Sequence, residues 1–196
     1  MPPLSIEVWS DVVCPWCYVG KRRIEKALAH YDGEVELRWR SFELDPDAPP
    51  GRPPRESSTD AQMTELAAGE GLEYHLDRTR GGNSFAAHRL IQRALEDGRQ
   101  DAMKERLMRA YFTEGEAIGD RATLDRLADE VGVDGQAALT DRRYAEAVRA
   151  DEELAARIGI RGVPYFVLDR RFGVSGAQPA ELLLQALERT REAQAA

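Results

Sequence analysis

The sequence predicts a mixed α/β domain interrupted by a large, wholly helical insertion. Three observations carry this. The first 44 residues read strand–helix–strand, residues 59 to 158 keep helical periodicity nearly throughout, and the chain then returns to two β-rich segments and a closing helix. Removing the helical block leaves one small unit with the order β-α-β, β-β-α. A chain of 196 residues accommodates one such domain with its insertion. The boundaries fall at residues 1–45 and 159–196 for the discontinuous α/β unit and at 46–158 for the insertion.

Each element follows from its own pattern. In "SIEVWS" (5–10), Ile6 and Val8 alternate with Glu7, and Trp9 adds a β-favouring aromatic. In "YVGKRRIEKALAHY" (18–31), Val19, Ile24, Ala27, Leu28 and Tyr31 share one helical face. Asp32–Gly33 is a turn, and "EVELRWRSFEL" (34–44) alternates at Val35, Leu37 and Trp39, with Phe42 one residue out of phase. Residues 45–58 hold five of the chain's ten prolines, a density that no helix or central strand survives.

Five helices are predicted in the insertion. The first spans 58–71 and ends at Gly69 or Gly71. The second, "NSFAAHRLIQRALEDG", is capped by Asn83 or Ser84 and stopped by Gly98. The third, 100–115, carries Met103, Leu107, Ala110 and Tyr111 on one stripe. Asp120 caps the fourth, with Leu124, Leu127, Ala128 and Val131 at i, i+3, i+4 and i+7, and the fifth covers 141–159. "VPYFVLD" (163–169) and "RRFGVSG" (170–176) read as a hairpin. The last helix has Pro179 in its first turn and Glu181 close behind.

Composition narrows the function. Hydrophobic residues make up 42% and charged residues 32%, enough for a real core under a solvated surface. The net charge is −8 and the pI about 5.1, which argues against nucleic acid or anionic membrane as partner. The arginines of "KRR" (21–23) and "DRTRGG" (77–82) are interleaved with acids and form no basic tract. The N-terminal stretch has no basic, apolar leader pattern, and no apolar run reaches the length of a membrane span. The expected compartment is the cytoplasm, where structural disulfides are rare.

The only two cysteines, Cys14 and Cys17, lie three positions apart in "SDVVCPWCYVG" (10–20), between the first strand and the first helix. At a helix N-terminus the unpaired N–H groups and the helix dipole favour an anion. A free thiol pKa of about 8.5 is expected to fall there, toward about 3.5–7.5. Cys14 is then the attacking sulfur, and Cys17, a turn further on, resolves the mixed disulfide. Pro15 fixes the first turn, and Trp16 gives a flat apolar surface beside the thiol. With no histidine between the cysteines, the expected reduction potential lies between the extremes of about −270 and −120 mV. A zinc site needs two more ligands; the chain has no other cysteine, and His30, His75 and His88 lack the usual spacing. Two inert buried thiols are the remaining bland reading.

Together "DVVCPWCYVGKRRIEKAL", "RWRSFELDP", "NSFAAHRL", "AYFTEGEAIGD", "GIRGVPYFV" and "SGAQ" resemble the FrnE-like branch of the DsbA family, in the same order from about residue 5 to residue 190. The resemblance implies a thioredoxin-like fold with a large all-α-helical insertion and dithiol–disulfide oxidoreductase activity. It implies that Cys14 and Cys17 are the redox pair, and that Pro164 is a cis-proline that turns the backbone of Val163 toward the sulfur and toward an extended substrate. It places Asn83 and His88 near the site, Asn83 as a donor to substrate backbone or a plain N-cap, His88 as a packed histidine or a proton donor. Ser175, Gly176 and Gln178 can hold a carboxylate or simply form a turn. No metal and no tightly bound cofactor is expected; glutathione is a candidate exchange partner, and the substrate is a disulfide- or thiol-containing protein or small molecule.

Two rival functions share this architecture. Kappa-class glutathione transferases and 2-hydroxychromene-2-carboxylate isomerases look similar but carry a serine where Cys14 stands. A non-catalytic thioredoxin-like binding module or chaperone needs no activated thiol.

Overall fold

The computed structural model describes residues 2–49, 51–54 and 57–195. β1 (Leu4–Ser10) runs into α1 (Pro15–Leu28), and β2 (Val35–Ser41) returns parallel to β1, paired from Leu4–Val35 to Ser10–Ser41. The insertion follows as α2 (Asp60–Gly69), a 3₁₀ turn (Leu76–Arg78), α3 (Phe85–Glu96), α4 (Gln100–Arg109), a π turn (Ala110–Glu114), α5 (Arg121–Val131), α6 (Gly135–Thr140) and α7 (Arg142–Arg157). β3 (Tyr165–Leu168) pairs antiparallel with β1, β4 (Phe172–Ser175) pairs antiparallel with β3, and α8 (Ala180–Ala195) closes the chain. The sheet order is β2-β1-β3-β4. This is the DsbA-like thioredoxin fold that the sequence predicts.

Both faces of β1 are covered. Leu4, Ile6 and Val8 join one hydrophobic cluster with Val19 and Ile24 of α1, Leu183 and Leu187 of α8, and Ile91, Met103 and Leu107 of the insertion. Sheet and insertion therefore share a continuous core. On the opposite face Trp9 packs with Ala155 and Ile160, and its indole N–H donates to the Asp151 carbonyl at 2.9 Å. The outer edge of β2 is closed at its C-terminal end by side chains of the insertion. The Gln100 amide bonds both the N–H and the carbonyl of Trp39, at 2.8 and 3.0 Å, and Asp151 accepts from the Ser41 N–H at 2.9 Å. Edge groups satisfied in this way offer no template for another strand.

The structure differs from the sequence reading in two places. The third insertion helix does not run unbroken to Gly115: it widens into the π turn after Arg109 and stops at Gly115, whose φ is +70°. α6 was not anticipated, because six residues, "GQAALT", are too few to display a period; its signal is Asp134, whose carboxylate accepts from the Ala137 N–H.

One glycine fixes how closely α1 approaches the strand hairpin. A Cβ on Gly20 would sit 2.9 Å from Cγ of Pro164, a ring atom with little room to give. Gly20→Ala is expected to lower stability by about 1 kcal/mol or more, the packing clash outweighing the gain in helix propensity. Urea unfolding of the two proteins checks the sign.

Candidate active site

Cys14 is the N-cap of α1, with extended backbone (φ −89°, ψ 114°) and no side-chain cap hydrogen bond, and Pro15 follows in the first turn. Its Sγ lies 3.7 Å from the Val163 carbonyl, to which the thiol donates. The Val163–Pro164 peptide bond is cis. Cys17 lies one turn on, and its N–H donates to the Cys14 carbonyl at 3.0 Å. Both cysteines are free. Residues 149 positions apart in sequence thus meet at one sulfur.

The two thiols are not equivalent. Cys14 retains 4% exposure and Cys17 none. Burial pushes the Cys17 thiol well above its ordinary value, with the neighbouring Cys14 sulfur adding to the effect and the charge of Lys104 opposing it. Trp16, between them in the chain, is 47% exposed and gives apolar surface beside an otherwise recessed pair.

Three buried groups beneath the pair were not singled out in the sequence. Lys104 of α4 is fully buried, and its ammonium donates to the Ser10 carbonyl at 3.2 Å. Burial pushes it down to about 8, against the upward pull of Cys17, Asp11 and Cys14. Asp11, also buried, accepts from the Leu44 N–H at 2.8 Å and faces His88 Nε2 at 3.2 Å. Burial alone would raise its carboxyl; the His88 hydrogen bond and charge more than offset this and hold it below the usual value. Tyr74 donates to the Pro15 carbonyl at 2.7 Å and stacks on Phe112 with ring centroids 4.7 Å apart, which pins the redox turn to the insertion. Of the three, Lys104 carried a readable signal. It sits with Met103, Leu107 and Met108 on the buried stripe of α4, where a charge is out of place.

The other expected site residues are placed differently from a substrate-contacting role. Asn83 donates to Glu43 at 2.8 Å and to the Pro46 carbonyl at 2.5 Å, while its Oδ1 accepts from the Phe85 N–H at 2.8 Å. Its amide is engaged inside the protein, and it caps α3 from one position further out than the N-cap Ser84. His88 is fully buried against Asp11, so it supports the redox turn from below and presents nothing to a substrate. In the turn before α8, the Gly176 N–H donates to Pro164, the Gln178 N–H to Gly176, and the Gln178 side-chain amide to Ser175. The backbone donors of Gly176 and Gln178 are thereby engaged within the turn, the first of them fastening it to Pro164.

Comparison with known proteins fits this arrangement. The solved structure of a probable DsbA oxidoreductase, SCO1869 of Streptomyces coelicolor, is 42% identical, covers 96% of this chain and 90% of its own, and superposes with a TM-score of 0.88. The uncharacterized protein YwbO of Bacillus subtilis is 32% identical over 84% of this chain and 86% of its own length. In fold alone, the chain is similar to the cytosolic disulfide reductase DsbM of Pseudomonas aeruginosa, solved with GSH (20% identity, 96% of each chain, TM-score 0.69). It is likewise similar to a 2-hydroxychromene-2-carboxylate isomerase (17% identity, 97% and 98%, TM-score 0.75). The model of the DSBA-like thioredoxin domain matches residues 5–188, nearly the whole of the α/β unit and all of the insertion, and the chain belongs to that family.

Proposed function

We propose that this protein is a thiol–disulfide oxidoreductase of the FrnE-like type, acting in the cytoplasm through the Cys14–Cys17 pair. The observation that carries the reading is Cys14 Sγ at the N-cap of α1, 3.7 Å from the Val163 carbonyl, with Cys17 one turn behind it. The cytoplasmic assignment rests on cysteine usage, both thiols being placed at one reactive turn rather than in a structural staple. No helix among the described residues is long and apolar enough to cross a membrane.

The chemistry proceeds in two exchanges. The Cys14 thiolate attacks one sulfur of a substrate disulfide, forms the Cys14–substrate bond, and releases the other substrate sulfur as a thiolate, which takes a proton from solvent. Cys17 then loses its proton and attacks Cys14 Sγ. The Cys14–Cys17 bond forms and the second substrate sulfur leaves as thiolate, so the substrate gains two electrons and the pair loses two. Run backwards, the same steps oxidise a dithiol. Cys17 is the sulfur that needs help, because burial holds its proton on. Lys104, buried close by, lowers the cost of that thiolate through the charge of its ammonium. Val163, in the bend before β3, places its backbone beside Cys14, where an extended substrate segment can pair with it.

The transferase or isomerase reading rests on fold likeness and needs an orienting hydroxyl at position 14. A cysteine with a resolving partner favours exchange instead. Reduction of insulin, and oxidation of a model dithiol, by wild type beside Cys14→Ser separates the readings. The serine variant is expected to lose activity in both assays. Full activity in that variant, together with glutathione conjugation, overturns the redox reading; partner binding without turnover in either protein supports a binding module.

A further inference from the structure

Where α7 ends, at Arg157, a cavity of about 350 Å³ opens on the sheet face that carries Trp9, opposite α1 and its cysteines. Trp9 and Val167 form the floor, and Leu154 and Ile158 form the wall on the helix side. Ile158, the C-cap of α7, is wholly apolar yet 50% exposed. The volume lies at the lower end of the range of about 300–1,000 Å³ typical of small-molecule sites.

Arginines gather on the rim. Arg40 uses both buried acids of this face: it donates to Asp151 at 2.7 Å and to Glu7 at 2.8 Å, with its guanidinium over the Trp9 ring. Two further arginines stand beside it without such partners. Arg38 lies next to Glu7 in the β1–β2 register, on the same face, and its Nε is buried with no hydrogen-bond partner among the described residues. Burial and the charge of Arg40 outweigh the acids around Arg38, namely Asp151, Glu7 and Glu36, and hold its proton affinity down. Arg170 lines the cavity, is 81% exposed and comes only to 3.8 Å from Glu7. Its φ is +54°, following +52° at Asp169, in the turn that closes the β3–β4 hairpin. Glycine and asparagine suit that backbone, and an arginine there runs against it. Such a residue at the edge of a cavity points to a role for its side chain.

We propose that this cavity binds a small organic anion, an aromatic or aliphatic carboxylate. Its apolar body lies on Trp9 and Val167 beside Ile158, and its carboxylate is held by Arg170 and Arg38. The charge pattern selects this occupant: an uncharged apolar ligand leaves the buried Arg38 Nε unpaired, and a cation meets three arginines. The site lies across the sheet from the dithiol and does not depend on the exchange chemistry proposed above.

The test titrates the full-length protein with 1-naphthoate by isothermal calorimetry, beside 1-naphthalenemethanol, which has the same ring system and no charge. Wild type is expected to bind the carboxylate roughly tenfold or more tightly than the alcohol, as for a charge-assisted hydrogen bond. Arg170→Gly removes the cation and suits the positive φ, so it is expected to fold at least as stably as wild type. Its Kd for naphthoate is expected to rise roughly tenfold, with binding of the alcohol unchanged. Ile158→Glu, at a half-exposed position, sets a fixed anion on the wall and is expected to abolish naphthoate binding. No binding of naphthoate, equal affinity for acid and alcohol, or an unchanged Kd in Arg170→Gly overturns the anion site. So does self-association in sedimentation that Ile158→Glu disrupts in a protein that binds no naphthoate, because the face then belongs to a second copy of the chain.

Discussion

Cys17→Ser is expected to stop multiple turnover while leaving the first exchange intact. Cys14 should still attack, and the protein should accumulate as a mixed disulfide visible by intact mass under non-reducing conditions. Resolution then depends on external thiol. A neighbour one helical turn away acts at an effective concentration far above any millimolar reagent, so turnover should drop by about a thousandfold or more. Cys14→Ser, by contrast, should accumulate no adduct, because the sulfur left behind has no exposed surface and holds its proton. The same asymmetry orders alkylation: reagent should label Cys14 before Cys17. Equal adduct yields from the two serine variants would sink the assignment of attacking and resolving sulfurs.

The parts of this site that were legible in the sequence are those written in consecutive residues. The C-x-x-C pair, Pro15 at the helix start, and the alternation of Ile6 and Val8 are local signals, and each stands where its spacing puts it. Val163 and Pro164 were legible only through resemblance, since nothing in "RGVPYF" says which sulfur it will face. Asn83 stays open in the sequence between an N-cap and a donor to substrate, and His88 between a packed histidine and a proton donor, because a polar side chain on a helix carries no mark of its direction until its neighbours are known. Here Asp11, Glu43 and Pro46, all remote in sequence, draw both inward. Lys104 is the instructive omission. Its position on the apolar stripe of α4 pointed to a buried charge, but the reason to bury it, a thiol from α1, comes only with the tertiary fold.

That burial has a measurable cost, and removing it should stabilise the protein while impairing the enzyme. Lys104 is fully buried, its ammonium bonds a single backbone carbonyl, and desolvation lowers it from 10.5 to about 8. At pH 7 both folded and unfolded chains carry the proton, and the folded one holds it at a disadvantage of about 3 kcal/mol. Methionine matches the length of the stem and belongs on this stripe beside Met103 and Met108, so Lys104→Met is expected to raise stability at pH 7 by about 2–3 kcal/mol. The pH dependence fixes the cause. Between pH 8 and 10.5 the unfolded wild type binds more protons at this lysine than the folded one, so its stability should rise with pH there. Cys17 works the other way from about pH 8 upward, where the folded thiol keeps a proton that the unfolded thiol loses. The two proteins are therefore compared across about pH 8 to 9: urea midpoints should rise in wild type, where the lysine outweighs the thiol, and fall slightly in Lys104→Met, where only the thiol remains. In the same variant the release of substrate from Cys14 by Cys17 should slow by about tenfold or more, because the charge that favours the buried Cys17 thiolate is gone, and its pH dependence should move to higher pH. A methionine variant that is less stable, or one that resolves its mixed disulfide at the wild-type rate and pH profile, would show that Lys104 serves packing alone.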